Sequence, residues 1–166
     1  MSLIALLIPG TGFAIGLLWL RTNPQFSWIS VPGQWPWEIW GIGISGLLAT
    51  AGGVADWAYH RLSGVIVGPR EKKYELIALA FGGVPLFLLM CMASLSQHPF
   101  RYLLPVLVVL LFTVALICFD EFVFHTRRCK PIETLMHRFL VYGYGVAWLA
   151  WAHWCFVRRI PEWIRF

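Results

Sequence analysis

Residues 119–137 read FDEFVFHTRRCKPIETLMH and lie between two long apolar runs, in a chain that otherwise carries few charges. Two acid–histidine pairs in this stretch, Glu121/His125 and Glu133/His137, have a spacing of four residues. Side chains four residues apart lie on one face of an α-helix. Pro131 stands between the pairs, and proline suits the first turn of a helix. The stretch therefore predicts the end of one helix, a basic loop and the start of a second helix.

The composition of the chain indicates an integral membrane protein. Of its 166 residues, 59% are hydrophobic and only 13% are charged, whereas soluble domains carry about 25% charged residues. Ten tryptophans agree with this interpretation, because tryptophan collects at membrane–water interfaces. Lysine and arginine outnumber the acids, 13 to 8, and we expect this excess to contact lipid head groups. We predict a bacterial inner membrane protein with the lipid bilayer as its main partner and with no nucleic-acid partner.

Five apolar stretches approach the roughly 20 residues that a transmembrane helix needs. They are Leu3–Leu20, Trp37–Tyr59, Tyr74–Leu95, Tyr102–Phe124 and Ile132–Val157. Pro9 and Gly10 interrupt the first of them. Residues 21–36 are rich in proline, tryptophan and serine and predict an interfacial connector. We therefore divide the chain into an N-terminal helix with its connector, 1–36, and a membrane bundle with a basic aromatic tail, 37–166.

An internal repeat relates the opening stretch to residues 56–76, which read DWAYHRLSGVIVGPREKKYEL. Asp56 and His60 stand four apart, as Glu121 and His125 do. A basic loop then leads to Pro69, and an acid follows the proline by two residues, Glu71. An ionisable residue comes four positions later, Glu75. Each copy predicts a helical hairpin that turns at the same membrane face, and two such hairpins form an antiparallel four-helix bundle. The predicted fold is therefore all-α, with about five transmembrane helices, the last four in this bundle.

The bundle would bring five carboxylates and three imidazoles to one level of the membrane. These predicted metal ligands are Asp56, His60, Glu71, Glu75, Glu121, His125, Glu133 and His137. Helical bundles that hold two iron or manganese ions use the same side-chain types, usually with the pattern Glu-x-x-His; here the spacing is one residue longer. Ionisable groups at bilayer depth are costly and usually functional. We predict an iron or copper site, dinuclear in its fullest form, in an oxidoreductase acting on a lipophilic substrate.

Three residues carry a resemblance to a known membrane metalloprotein. Glu121, His125 and His137 resemble the Asp-x-x-x-His…His pattern in the C subunit of particulate methane monooxygenase, with glutamate in place of aspartate and a slightly different second gap. In the first repeat Asp56 and His60 match the pattern, and a lysine or glutamate stands where the second histidine would be. The resemblance implies a copper ion held by an acid and two histidines near the membrane edge.

A structural interpretation of the same residues remains open. An acid in the first turn of a helix suits the helix dipole, and a histidine–glutamate network can join two hairpins without a metal. The chain is small, rich in aromatic residues and has little mass outside the membrane. These features also fit a non-catalytic subunit of a larger respiratory or photosynthetic membrane complex, with other membrane subunits as partners and a structural His/carboxylate cluster.

Two further histidines, His98 and His153, belong to the opposite membrane face. His153 lies about 24 Å along the helix from His137 at 1.5 Å per residue. Together His98 and His153 would be able to ligate a haem or chlorin. The alternative is that each is a hydrogen-bonded residue of the interface, as membrane histidines near tryptophan commonly are.

Charge and glycine positions predict the orientation and the helix packing. The loops 61–73 and 127–130 carry more lysine and arginine than the opposite side, so the positive-inside rule favours these loops as cytoplasmic. Small residues let membrane helices approach closely. The glycines expected to do so are Gly41, Gly43, Gly46, Gly52, Gly53, Gly143 and Gly145.

Overall fold

A computed structural model describes residues 3–63, 68–120 and 130–159. These ranges are helical and contain no strand, so the all-α prediction is confirmed. The described ranges contain six α-helices: α1 (Leu3–Leu20), α2 (Trp37–Ser63), α3 (Pro69–Ile77), α4 (Val84–Leu95), α5 (Leu103–Asp120) and α6 (Pro131–His153). A π-helical turn, Ala78–Gly83, joins α3 to α4, and a second one, Trp154–Arg158, follows α6. Short 3-10 helices span Pro24–Ser30, Pro32–Gln34 and Pro99–Tyr102.

Within the described ranges, four helical stretches are long and apolar enough to cross a membrane. They are Trp37–Ser63, Ala78–Leu95, Pro99–Phe119 and Pro131–Arg158. They correspond to the last four predicted spans, while α1 contributes a shorter apolar segment, Leu6–Leu20. Both returning helices begin at the proline that the repeat indicated, Pro69 for α3 and Pro131 for α6. Proline is favourable there because a backbone N–H in the first turn has no acceptor within the helix, so the lack of an N–H in proline costs no hydrogen bond.

The chain divides into two compact units. The first consists of Met1–Tyr59 and Leu135–Trp154, and the second of His60–Thr134 and Cys155–Phe166. Both divisions fall inside continuous helices, after Tyr59 in α2 and after Thr134 in α6. Each helix therefore contributes residues to both units.

In the first unit, α2 and α6 pack with their backbones in close approach. A Cβ atom added at Gly52 would lie 2.8 Å from the carbonyl oxygen of Met136, and one added at Gly143 would lie 2.8 Å from that of Ser45. The partner numbers fall as the α2 numbers rise, so the two helices are antiparallel. The predicted close approach is confirmed at these glycines. At Gly46, by contrast, an added Cβ meets no heavy atom of the described residues within 4 Å.

The N-terminal helix packs against the same pair of helices. Leu6 of α1 is buried. A Cβ atom added at Gly53 of α2 would lie 2.8 Å from the Leu6 side chain. The hydroxyl of Tyr144 on α6 donates a hydrogen bond to the carbonyl oxygen of Leu6 at 3.3 Å. Helix α1 is therefore anchored to both α2 and α6 in spite of its internal Pro9.

In the second unit, α4 and the π-helical turn before it pack against α5. Gly82 of the turn faces Thr113 of α5, whose side chain would lie 2.5 Å from an added Cβ. Tyr74 of α3 and Phe119 of α5 place their ring centroids 5.1 Å apart. The guanidinium of Arg159 donates hydrogen bonds to the carbonyl oxygens of Ala93, Ser94 and Ser96 at 3.3, 2.9 and 2.9 Å. Arg159 thus satisfies carbonyls that the end of α4 leaves without helical partners.

Candidate metal centre

A buried histidine–glutamate pair lies where α2 ends and α6 begins, inside the second unit. Nε2 of His60, in the last turn of α2, is 3.0 Å from Oε1 of Glu133, in the first turn of α6. The other carboxylate oxygen of Glu133 accepts a hydrogen bond from the backbone N–H of Lys130 at 3.4 Å. Glu133 is only 2% exposed. Burial of a carboxylate is costly unless it is paired, so the imidazole and the N–H both help to hold it there.

Asp56 extends this pair to three potential metal ligands. It precedes His60 by one turn of α2, which is continuous across these positions, so the two side chains share a helix face. One ligand atom from each of Asp56, His60 and Glu133 lies within 4.8 Å of the others, and the group could hold a metal ion. Asp56 and His60 are half-buried and Glu133 is buried. The group combines one imidazole with two carboxylates.

The spacing inside this group is compatible with metal coordination. A transition metal binds histidine nitrogen and carboxylate oxygen at about 2.1 Å, and at that radius octahedral geometry places neighbouring donor atoms about 3 Å apart. The His60 and Glu133 atoms already have that separation. A metal ion there would bind Nε2 of His60 only in its form without a hydrogen, because metal ligands must be deprotonated.

The group unites three of the eight predicted ligands, and they come from both copies of the repeat. Asp56 and His60 belong to the first copy, and Glu133 belongs to the second. His137 lies one turn after Glu133 on α6, half-buried, and is not a member of the group. The remaining predicted ligands lie outside the part of the structure that is described: Glu121 and His125 entirely, and Glu71 and Glu75 of α3 in their side chains.

A second histidine–glutamate pair, inside the first unit, joins the other ends of the same two helices. Oε1 of Glu38, in the first turn of α2, is 2.7 Å from Nδ1 of His153, the last residue of α6. The Glu38 side chain is fully buried, and that of His153 is 42% exposed. The ring of Trp37 lies 5.2 Å from the imidazole. In the described ranges no third acid, histidine or cysteine completes a metal-binding group around this pair.

Sequence reasoning did not find Glu38. The available signal was its position, because Glu38 and Glu133 each stand in the first turn of a long apolar helix while His60 and His153 each stand in the last turn of the other. The structure gives His153 a carboxylate contact. His98 is exposed, and its backbone N–H donates a hydrogen bond to Ser96 Oγ at 3.0 Å. The haem or chlorin ligation by His98 and His153 stays a prediction.

The chain matches no protein-family model, and searches of curated proteins and of solved structures give no match either. A functional proposal therefore depends on the donor chemistry and the geometry of the described residues.

Proposed function

We propose that the protein is an integral membrane metalloprotein in which Asp56, His60 and Glu133 hold an iron ion. The observation that carries this proposal is the convergence of two carboxylates and one imidazole, with Glu133 buried, at adjoining ends of two long apolar helices. Ionisable groups are rarely retained in such positions without a function. Within the proposal, Asp56 and Glu133 balance the charge of the cation, and His60 supplies a neutral nitrogen ligand.

Helix length and the character of the helix surfaces support the membrane location. At 1.5 Å per residue, the 27 residues of α2 span about 40 Å, more than the roughly 30 Å of a bilayer's hydrocarbon core. Leu104 and Leu111 of α5 and Phe81 of the π-helical turn are exposed, as expected of surfaces covered by lipid. We propose that the four long helices form an antiparallel bundle in a bacterial inner membrane, with the loops 61–73 and 127–130 in the cytoplasm.

The ligand chemistry favours iron over copper for the described group. Two carboxylates are hard ligands, whereas copper in its reduced state prefers sulfur, and imidazole suits both metals. In this proposal a second metal ion lies beside the first and is held by Glu121, His125 and His137. The first repeat then supplies Asp56 and His60, and the second repeat supplies ligands to both ions.

The reaction class that suits such a site is oxidation of a lipid-soluble substrate by dioxygen. Two substrate molecules each give up two electrons and two protons, and one dioxygen is reduced to two water molecules. When bound, the metal supplies electron exchange with dioxygen. The residues of the chain fix its position and keep it at the membrane edge, where a lipophilic substrate arrives from the bilayer.

The Glu38–His153 pair supports a second candidate function. It shows the same type of contact at the opposite helix ends, and no third ligand accompanies it in the described part of the chain. If His60 and Glu133 only join α2 to α6 in the same way, the protein is a structural subunit of a larger respiratory or photosynthetic membrane complex. Its partners are then other membrane subunits.

Metal analysis of protein purified in mild detergent without chelators separates the two functions. The metalloprotein proposal expects bound iron in a chain that purifies without a large partner. A metal-free protein that co-purifies with a larger assembly, and whose His60→Ala variant still assembles, would support the structural subunit instead.

A further inference from the structure

An apolar groove runs along α2 and α6 in the first unit, on a surface that none of the metal ligands lines. Its volume is about 610 Å³. Ile44 and Leu48 of α2 and Phe139 and Tyr142 of α6 form its walls, and each of these side chains is about half exposed or more. Gly143, a glycine of the α2–α6 contact, also lines the groove, and its lack of a side chain makes the groove deeper. The groove is concave and almost free of polar atoms.

Among the described residues that line this groove, Arg138 alone is charged. Its side chain is exposed, and no ion pair joins it to any side chain that the structure describes. A cation at the edge of a hydrocarbon layer is stabilised by an anionic partner. The planar guanidinium is well suited to phosphate, which it can bind through two parallel hydrogen bonds. The groove therefore combines an apolar channel with an available phosphate-binding group.

The dimensions of the groove agree with one lipid leaflet. On α6 it extends from Leu135 to Val146, which is about 17 Å at 1.5 Å per residue. One leaflet of hydrocarbon is about 15 Å thick, half of the bilayer core. Helical side chains lean toward the N-terminal end of their helix. Arg138 thus leans toward the membrane edge at which α6 begins.

We propose that this groove binds one phospholipid with an anionic head group. An acyl chain lies along Ile44, Leu48 and Tyr142, and the phosphate accepts hydrogen bonds from Arg138. A second copy of the chain fits less well, because a twofold contact through this patch presents the same residues from both copies and brings no acid to Arg138. The inference rests on the membrane location in the proposed function and is independent of the metal.

Native mass spectrometry of the full chain in an uncharged detergent tests this site. Phosphatidylglycerol and phosphatidylcholine with identical acyl chains are titrated in parallel. We expect phosphatidylglycerol to bind more tightly, and Arg138→Gln to weaken it about fivefold, the effect of one arginine at an anionic lipid surface. Phosphatidylcholine carries the same phosphate but no net charge, so the variant should weaken its binding less than that of phosphatidylglycerol. Arg101→Gln, which removes an exposed arginine that does not line the groove, should leave both lipids unaffected.

A second pair of variants tests the acyl-chain channel. Leu48→Trp fills the groove and should weaken both lipids, whereas Leu104→Trp, on an exposed position of α5, should weaken neither. Equal effects of Arg138→Gln and Arg101→Gln would overturn the inference. So would a lipid-free dimer that Leu48→Trp dissociates. A protein that stays dispersed without detergent would instead overturn the membrane location on which the inference rests.

Discussion

Oε1 of Glu38 lies 2.7 Å from Nδ1 of His153, and this contact joins the first turn of α2 to the last residue of α6. The His60–Glu133 contact repeats the arrangement with the roles of the helices exchanged. The 22 positions from Glu38 to His60 correspond to about 33 Å of helix, close to the thickness of a bilayer core. In the proposed membrane location, each pair would belong to one membrane edge. The two contacts differ in one respect among the described residues: the His60–Glu133 contact has a third potential metal ligand, Asp56, one helical turn from His60.

The Glu38–His153 contact should stabilise the fold without affecting metal content. His153→Ala would bury a carboxylate without its imidazole, and we expect the free energy of unfolding to fall by roughly 2–3 kcal/mol. This is less than the full cost of breaking a buried pair, because the His153 side chain is 42% exposed. Glu38→Gln should cost less, since it removes the buried charge itself. Denaturant titration in detergent micelles measures both.

The double variant Glu38→Gln/His153→Ala is the control for this pair. If the two residues interact directly, its cost will be smaller than the sum of the single costs. Additive costs would show that the contact contributes nothing.

Because α2 packs closely on α6, alanine substitution at two glycines of α2 should have different effects on the stability of the protein. Gly52→Ala places a Cβ 2.8 Å from the Met136 carbonyl oxygen, which cannot rotate away. Overpacking of this kind should destabilise the protein by about 2 kcal/mol. Gly46→Ala meets open space among the described residues and should be neutral or stabilising by up to about 1 kcal/mol. Similar effects of both substitutions on the unfolding midpoint would contradict the packing of α2 on α6.

The sequence carried enough information to predict the helices because long apolar runs and interrupting prolines are local signals. It predicted all-α structure and the first residue of the α6 helix, Pro131, and four of its five predicted spans correspond to long apolar helices. Among the described side chains, the structure brings three of the eight predicted ligands together. Periodicity placed Asp56 and His60 on one face, but the contact of His60 with Glu133 joins the two copies of the repeat and depends on tertiary packing. Glu38 was missed for the same reason, because its partner is 115 positions away.

Arg159 should stabilise the end of α4 through its planar shape as well as its charge. Three backbone carbonyls accept its hydrogen bonds, and a lysine cannot reproduce that geometry. We expect Arg159→Lys to lower the free energy of unfolding by about 1–2 kcal/mol. Arg101→Lys, at an exposed position, serves as the matched control and should have no effect. Equal stability of the two variants would contradict this role.

A dinuclear site makes a separate prediction about stoichiometry. Such sites hold two metal ions, so we expect about two equivalents of metal per chain. His137→Ala should remove about half of this metal or more, while His98→Ala, a change at an exposed histidine, should remove none. If the wild type holds about one equivalent of metal and His137→Ala leaves that amount unchanged, the dinuclear site is contradicted. The site would then hold one ion at the three described ligands.

The iron content of Asp56→Asn, measured beside the wild type and Glu38→Gln, tests the central claim most directly. Asp56→Asn removes one ligand but keeps the His60–Glu133 contact, so a structural contact should survive it and a metal site should not. We expect the wild type and Glu38→Gln to contain equal iron and Asp56→Asn to lose at least most of the ion beside His60. No metal in the wild type, or equal iron in all three proteins, would contradict a metal site at Asp56, His60 and Glu133.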